Sequence, residues 1–474
     1  MGIYLGRTLS DVDTLRVSLE ASESDSTLGV VVFELFLSGV SAARTQVTCL
    51  EMELPEDLKQ VAKRFIYQHP SFKLPESVKT ALLNGLADRT NHSEPLWLDI
   101  DPPGSLLSIV PWESMLQEPL KTRLIRLSFF PASSYFPHWN NLDIVICASA
   151  AKAKVKFNMP QERIDVQVPQ LALRILETQK MPTTIHIFAD QEIYGTLKQK
   201  LAPKVVGQGG HGVMLYDPAL AAHYEAPRRT REVVDELDKV TNPWLRWMMD
   251  SLAGQTIDLV HFVCHGFLYT DQGALALAES PTVNNDSSWA RFVGPRQLNT
   301  FLDNVGAYTA GFCSPLHNYS IAGLQFLVEQ IARLRPGVSM FHNSLEDPNF
   351  DHLCSTYSAL YSADRNGLID WKSSTTLFCA PKLFKSAASE PPDPPDPDED
   401  GRGTWDPHVI DAEFVPAVSK QDGAWVAAGH RWLERTASQL NDASFSVAQA
   451  STKEAVQETL TFVSNVINQY SLKM

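Results

Sequence analysis

Two stretches of this chain end an apolar run on a side chain that can do chemistry. Residues 258–267 read DLVHFVCHGF, and residues 306–313 read GAYTAGFC. Read as strands, both stop at a polar tip, His265 in the first and Cys313 in the second. Ligands of open parallel sheets sit outside the carboxyl ends of the strands. Consecutive elements are usually spatial neighbours. An imidazole beside a thiol promotes the thiolate, which is the nucleophile of covalent catalysis. Gly266 lets the chain approach a ligand closely. Its backbone N–H and that of Cys313 could hold an oxyanion.

Period-two alternation puts His261, Val263 and His265 on one face and Cys264 on the other. His261 lies inside the apolar run and reads as a structural imidazole. The spacing His261, Cys264, His265 does not suit a metal, since Cys264 points away from both histidines and no further ligand cluster is in view. No metal and no cofactor are expected. A cysteine that ends an apolar strand is commonly just a small buried hydrophobe. Cys147 and Cys379 also end such runs and are rival nucleophiles, although neither has a histidine at a comparable tip.

These residues need a sheet to hold them. Strand candidates fall at 96–100, 142–148, 183–189, 212–217, 257–265, 306–313, 337–343 and 374–380. Helical spacing appears between them, at 228–249 (Val233, Val234, Leu237, Val240, Trp244, Trp247) and at 322–334 (Leu324, Leu327, Val328, Ile331, Leu334). Short strands alternating with helices predict an α/β fold with a mostly parallel sheet and helices on both faces. Residues 1–90 mix a strand-like run at 29–39 with a helix-like stretch at 54–69, an α+β N-terminal region. GQGGHG at 207–212 matches GxGxxG but runs into a strand, not a helix, and reads as a turn.

The chain has 474 residues, 44% of them hydrophobic and 20% charged, enough for more than one core. A net charge of −15 argues against nucleic-acid binding, which needs clustered Lys and Arg. No 18-residue apolar run spans a membrane, and the first residues lack a secretion signal. The six cysteines form no CxxC pair and read as free thiols of a cytoplasmic protein. Residues 386–404, with five prolines among acidic residues, form an extended linker. Residues 405–474 carry two apolar stripes, Trp425, Trp432, Leu433 and Leu440, then Val456, Leu460, Val463, Ile467 and Tyr470 behind the capping box STKE. They read as a small helical C-terminal module, folded onto its own domain or docking a protein partner.

VHFVCHG followed by AYTAGFCSP resembles the His and Cys motifs of the CHAT peptidase family, a branch of the caspase-like cysteine peptidases. Pro111, Trp112 and Glu113 in SLLSIVPWESML resemble that family's Pro-Trp-Glu segment. The charged stretch RRTREVVDEL and the later GVSMFHNSLEDPNFDHLCSTYSALYS fit its order too. The likeness covers residues 91–385 and implies a caspase-like sheet, with His265 and Cys313 as the catalytic dyad of a cysteine endopeptidase. It also implies a basic P1 residue, for which Asp271, Asp286, Glu346 and Asp347 are S1 candidates, and activation by a partner in bacterial defence or cell-death signalling. One departure stands beside the nucleophile. Where relatives carry Ala-Cys and then a small polar segment with Gly, this chain has Phe312-Cys313-Ser314-Pro315, and Pro315 offers no N–H. That motivates the alternative of a catalytically inactive caspase-like scaffold or adaptor. A thiol hydrolase or transferase acting on non-peptide amides is a further reading.

Overall fold

The computed structural model describes residues 12–21, 29–54, 72–90, 94–128, 141–149, 161–201, 212–224, 240–269, 272–282, 290–315, 321–362 and 374–381. The chain divides into Met1–Thr404 and Trp405–Met474. All described residues belong to the first unit. The proline-rich linker, the C-terminal module and the helix-like stretch at 54–69 lie outside the described residues.

Fourteen strands are described: β1 (Thr14–Ala21), β2 (Gly29–Leu37), β3 (Val40–Thr48), β4 (Leu96–Asp101), β5 (Leu124–Leu127), β6 (Leu142–Ser149), β7 (Thr183–Ala189), β8 (Gly212–Tyr216), β9 (Leu259–Tyr269), β10 (Gln272–Leu277), β11 (Arg291–Val293), β12 (Thr309–Cys313), β13 (Val338–His342) and β14 (Thr375–Cys379). The helices are α1 (Glu76–Leu86), α2 (Trp112–Leu120), α3 (Gln161–Thr178), α4 (Gln191–Leu201), α5 (Pro243–Ser251), α6 (Pro295–Val305), α7 (Ile321–Leu334) and α8 (Asp351–Leu360).

The fold is α/β, built on one mixed, mostly parallel sheet. Its strand order is β3-β2-β1-β4-β5-β14-β13-β12-β9-β6-β7-β8, with β10 and β11 hung on the outer end of β9. Two parallel blocks make it up. One runs β13-β12-β9-β6-β7-β8 and the other β1-β4-β5-β14. They meet antiparallel at β13 and β14. The N-terminal strands therefore extend the main sheet through the β1–β4 ladder.

Helices cover both faces of the first block, so its strands are apolar on both sides. Ile144, Ile146, Val263, Cys313 and Met340 pack on one face with residues of α3, α4 and α8. Val145, Cys147, Phe262, Cys264, Phe312 and Phe341 pack on the other with residues of α5, α6 and α7. A third cluster fills the second block, with Phe33 and Trp112 in edge contact at 5.7 Å.

All eight strands read from the main region form, each shifted by no more than a few residues. The helix expected across 228–249 is interrupted. Residues 225–239 lie outside the described residues, and α5 starts afresh at Pro243. Asn242 caps it, accepting from Trp244 N at 2.9 Å, while Gln297 Oε1 takes the N–H groups of Thr241 and Asn242. A polar cap followed by proline at the first helical position is a start signal.

The Pro111-Trp112-Glu113 segment opens α2, and its tryptophan and glutamate are held in the core. Trp112 Nε1 donates to Leu107 O at 2.9 Å. Glu113 grips Arg126 of β5 through both carboxylate oxygens, at 2.8 and 2.9 Å. The same guanidinium donates to Ser108 O and Val110 O. Both side chains are buried. Removing one partner of such a pair strands the other charge, at a cost of about 3–5 kcal/mol, whereas apolar replacement of both is far milder. Glu113→Gln should therefore lower stability by about that much in urea unfolding. Glu113→Leu with Arg126→Met should be clearly more stable than the single variant.

Candidate functional site

The carboxyl ends of β12 and β13 meet the first half of β9 and bring the reactive side chains together. In the ladder Cys313 lies opposite Val263 on one side and His342 on the other, and Gly311 lies opposite His261. Side chains alternate along each strand, so His261, Val263, Cys313 and His342 share the face covered by α3 and α8.

The hydrogen bond to the thiol comes from within the strand. His261 Nε2 stands 3.2 Å from Cys313 Sγ. Its other nitrogen, Nδ1, stands 2.6 Å from the hydroxyl of Tyr357 on α8. Tyr357 can approach because Gly311 has no side chain. A Cβ there would sit 2.2 Å from the tyrosine oxygen and 2.6 Å from His261 Nδ1. The turn after the cysteine is pinned by Ser344, whose hydroxyl donates to Ser314 O at 2.8 Å. His342 lies between Thr375 Oγ1 and Asp347 O, each 3.3 Å away.

His265 stands one pleat period beyond Val263, about 7 Å further toward the rim. It is buried, at 1% exposure. The expected strand end at His265 is not where β9 stops. The strand continues to Tyr269, with His265 and Gly266 opposite Ala276 and Leu275 of β10. Helix α7 packs directly on this extension, since a Cβ at Gly323 would lie 2.7 Å from the Phe267 backbone.

Of the acidic S1 candidates, Asp347 is committed elsewhere. Its carboxylate accepts from the N–H groups of Asp351, His352 and Leu353 at the start of α8. It also lies 3.6 Å from His342 Nε2. Glu346 is exposed and accepts from Asn343 Nδ2 at 2.8 Å. Asp271 and Asp286 lie outside the described residues. Among the described residues no group of three or more His, Cys, Asp or Glu side chains is arranged to hold a metal. The rival cysteines are both buried, and burial pushes the Cys147 thiol up, as it does Cys379.

Electrostatics set the protonation of the pair. Cys313 is fully buried, and desolvation pushes its thiol up to about 12, with the Ser344 hydroxyl acting the other way. Burial drives His261 down to about 3, and nearby His342 adds to this. His342 is itself held down to about 4, again chiefly by burial. The described state is thus a neutral thiol against a neutral imidazole.

Tyr357 and His342 were missed in the sequence. His342 ends an apolar strand as His265 does, and the same reasoning could have found it. Tyr357 carries no local signal, since only the fold brings α8 under the cysteine.

Compared with protein-family models, curated proteins and solved structures, the chain matches none.

Two predictions follow from this geometry. Gly311→Ala should push Tyr357 off His261 and lower the urea midpoint. Adding Tyr357→Phe should recover part of the loss, because the nearest clashing atom is the hydroxyl oxygen. The second concerns pH. Both histidines have folded values below the ordinary 6.5. The unfolded chain therefore binds more protons below about pH 6.5, and stability falls as pH drops toward 4. Near pH 5 these two sites should take up about two protons on unfolding, roughly 1.4 kcal/mol each per pH unit. Urea titrations between pH 7 and 5 that show no such slope would contradict the buried neutral pair.

Proposed function

We propose that this chain is a caspase-like cysteine endopeptidase whose described state is the resting one. The observation that carries this reading is positional. Cys313 ends β12, within the order β7-β6-β9-β12-β13-β14 in which only β14 runs antiparallel, and the neighbouring strand β9 carries His261 on the same face and His265 further along. Parallel sheets take their ligands at this end.

In the proposed reaction the Cys313 S–H bond breaks and its proton passes to a ring nitrogen of His265. The sulfur then attacks the scissile carbonyl carbon, and the carbonyl electron pair moves onto oxygen. The N–H groups of Gly266 and Cys313 are the proposed oxyanion donors. Collapse expels the amine, which takes the proton from His265, and water then hydrolyses the thioester. His265 suits the acid and base role because it lies on the rim side, where a substrate enters. Glu346 is the described, exposed S1 candidate for a basic P1 residue.

The fully buried, neutral thiol implies that the site must open before it reacts. A protein activator supplies that step in this proposal, with residues 405–474 as its docking module and the cytoplasm as its setting. The same burial favours a second reading, an inactive scaffold or adaptor in which Cys313 only fills the core.

A peptide library ending in an acyloxymethyl ketone separates the two when applied in an extract of the source cells that supplies the activator, with Cys313 modification followed by mass spectrometry. A peptidase should label at Cys313 faster with a matched peptide than with iodoacetamide, and His265→Ala should abolish that preference. Slow labelling that tracks global unfolding and ignores peptide sequence would favour the scaffold.

A further inference from the structure

We propose that His261 is locked in the tautomer that carries its proton on Nε2, and so acts as a hydrogen-bond donor to the Cys313 sulfur rather than as its base. The catalytic half of this inference rests on reading Cys313 as a nucleophile. The hydrogen-bond half stands on geometry alone.

A neutral imidazole has one N–H and one acceptor nitrogen. Both nitrogens of His261 are engaged, Nδ1 with Tyr357 at 2.6 Å and Nε2 with Cys313 at 3.2 Å. Two arrangements are possible. If Nδ1 carried the proton it would donate to the tyrosine oxygen, and the fully buried phenol O–H would lose its acceptor on the imidazole. A stranded hydroxyl is costly, whereas a thiol is a weak donor that tolerates imperfect pairing.

In the other arrangement the phenol and both ring nitrogens are paired. Tyr357 O–H donates to Nδ1, and Nε2–H donates to Sγ. The Ser344 hydroxyl lies beside the thiol and gives its own proton to Ser314 O, so the S–H is the one donor left loosely paired, which a weak thiol donor tolerates. Burial also keeps Tyr357 protonated, well above its usual range.

The consequence is a division of labour between the two histidines of β9. His261 cannot accept the thiol proton, because Nε2 already carries one and Nδ1 is closed by Tyr357. When Cys313 ionises, the proton must leave toward the rim, to His265, while the electron pair stays on a sulfur held by Nε2–H. Tyr357 is then a positioning residue and Gly311 the gap that admits it.

The test uses the full-length chain with ¹⁵N-labelled histidine imidazoles, and His261→Gln identifies the resonances. Long-range ¹H–¹⁵N correlation near pH 7 should show a protonated Nε2 and an accepting Nδ1 at residue 261, and Tyr357→Phe should relax this into a tautomer mixture. A protonated Nδ1 in the wild-type chain would overturn the proposal. A second arm measures labelling of Cys313 by the peptide ketone. Glutamine keeps an N–H donor but no base, so His261→Gln should stay within about threefold of wild type, while His261→Leu loses about tenfold or more. Equal, large losses in both variants would sink the donor role. If wild type does not label, the site has stayed closed, and the tautomer measurement alone decides the hydrogen-bond chain.

Discussion

The contact between His261 and Cys313 persists because neither group is charged. An ionised sulfur and imidazolium would be strongly attracted, but in a fully desolvated core each ion would lose its hydration, and the penalty rivals the attraction. Burial therefore keeps the proton where hydrogen bonding can use it. The ladder does the rest. With Cys313 opposite Val263, one pleat period sets His261 behind the thiol and His265 ahead of it. A shift of one residue in this register would turn the thiol to the α6–α7 face and dissolve the whole arrangement.

Much of this was legible in the sequence because its signals are local. Apolar runs such as 142–148 and 183–189 became β6 and β7, and alternation put His261 and Val263 on one face. The choice between the two histidines was not legible. His261 read as structural because it sits inside an apolar run, yet that burial is what lets it hold the sulfur. Long-range partners left no trace at all. Tyr357 reaches His261 across 96 residues through a gap set by Gly311. Asp347 looked like a loop carboxylate that could meet a basic substrate, but the N-terminus of α8 takes it, as helix starts commonly take acidic groups. The short strand β5 and the polar strand β3 escaped because neither shows an apolar run long enough to notice.

Glycine close to the reactive residues serves packing as well as turns. Gly311 admits Tyr357, while Gly323 lets α7 rest on the backbone of Phe267 and Gly273 brings β10 against the same helix. Gln330 Oε1 accepts from Gly273 N at 2.9 Å and ties that hairpin down. The segment that carries His265 and Gly266 is thus braced from behind by a helix whose other contacts belong to the deep core.

The antiparallel junction between β13 and β14 divides the strand ends between two borders. Strands β9, β12 and β13 finish at one margin, whereas β1, β4, β5 and β14 finish at the opposite one. The connection that leaves β4 therefore emerges on the far side from Cys313. Its first residues meet α7, where Gly104 N donates to Glu329 Oε1 at 2.6 Å, so a change made there reaches the helix that backs the His265 segment.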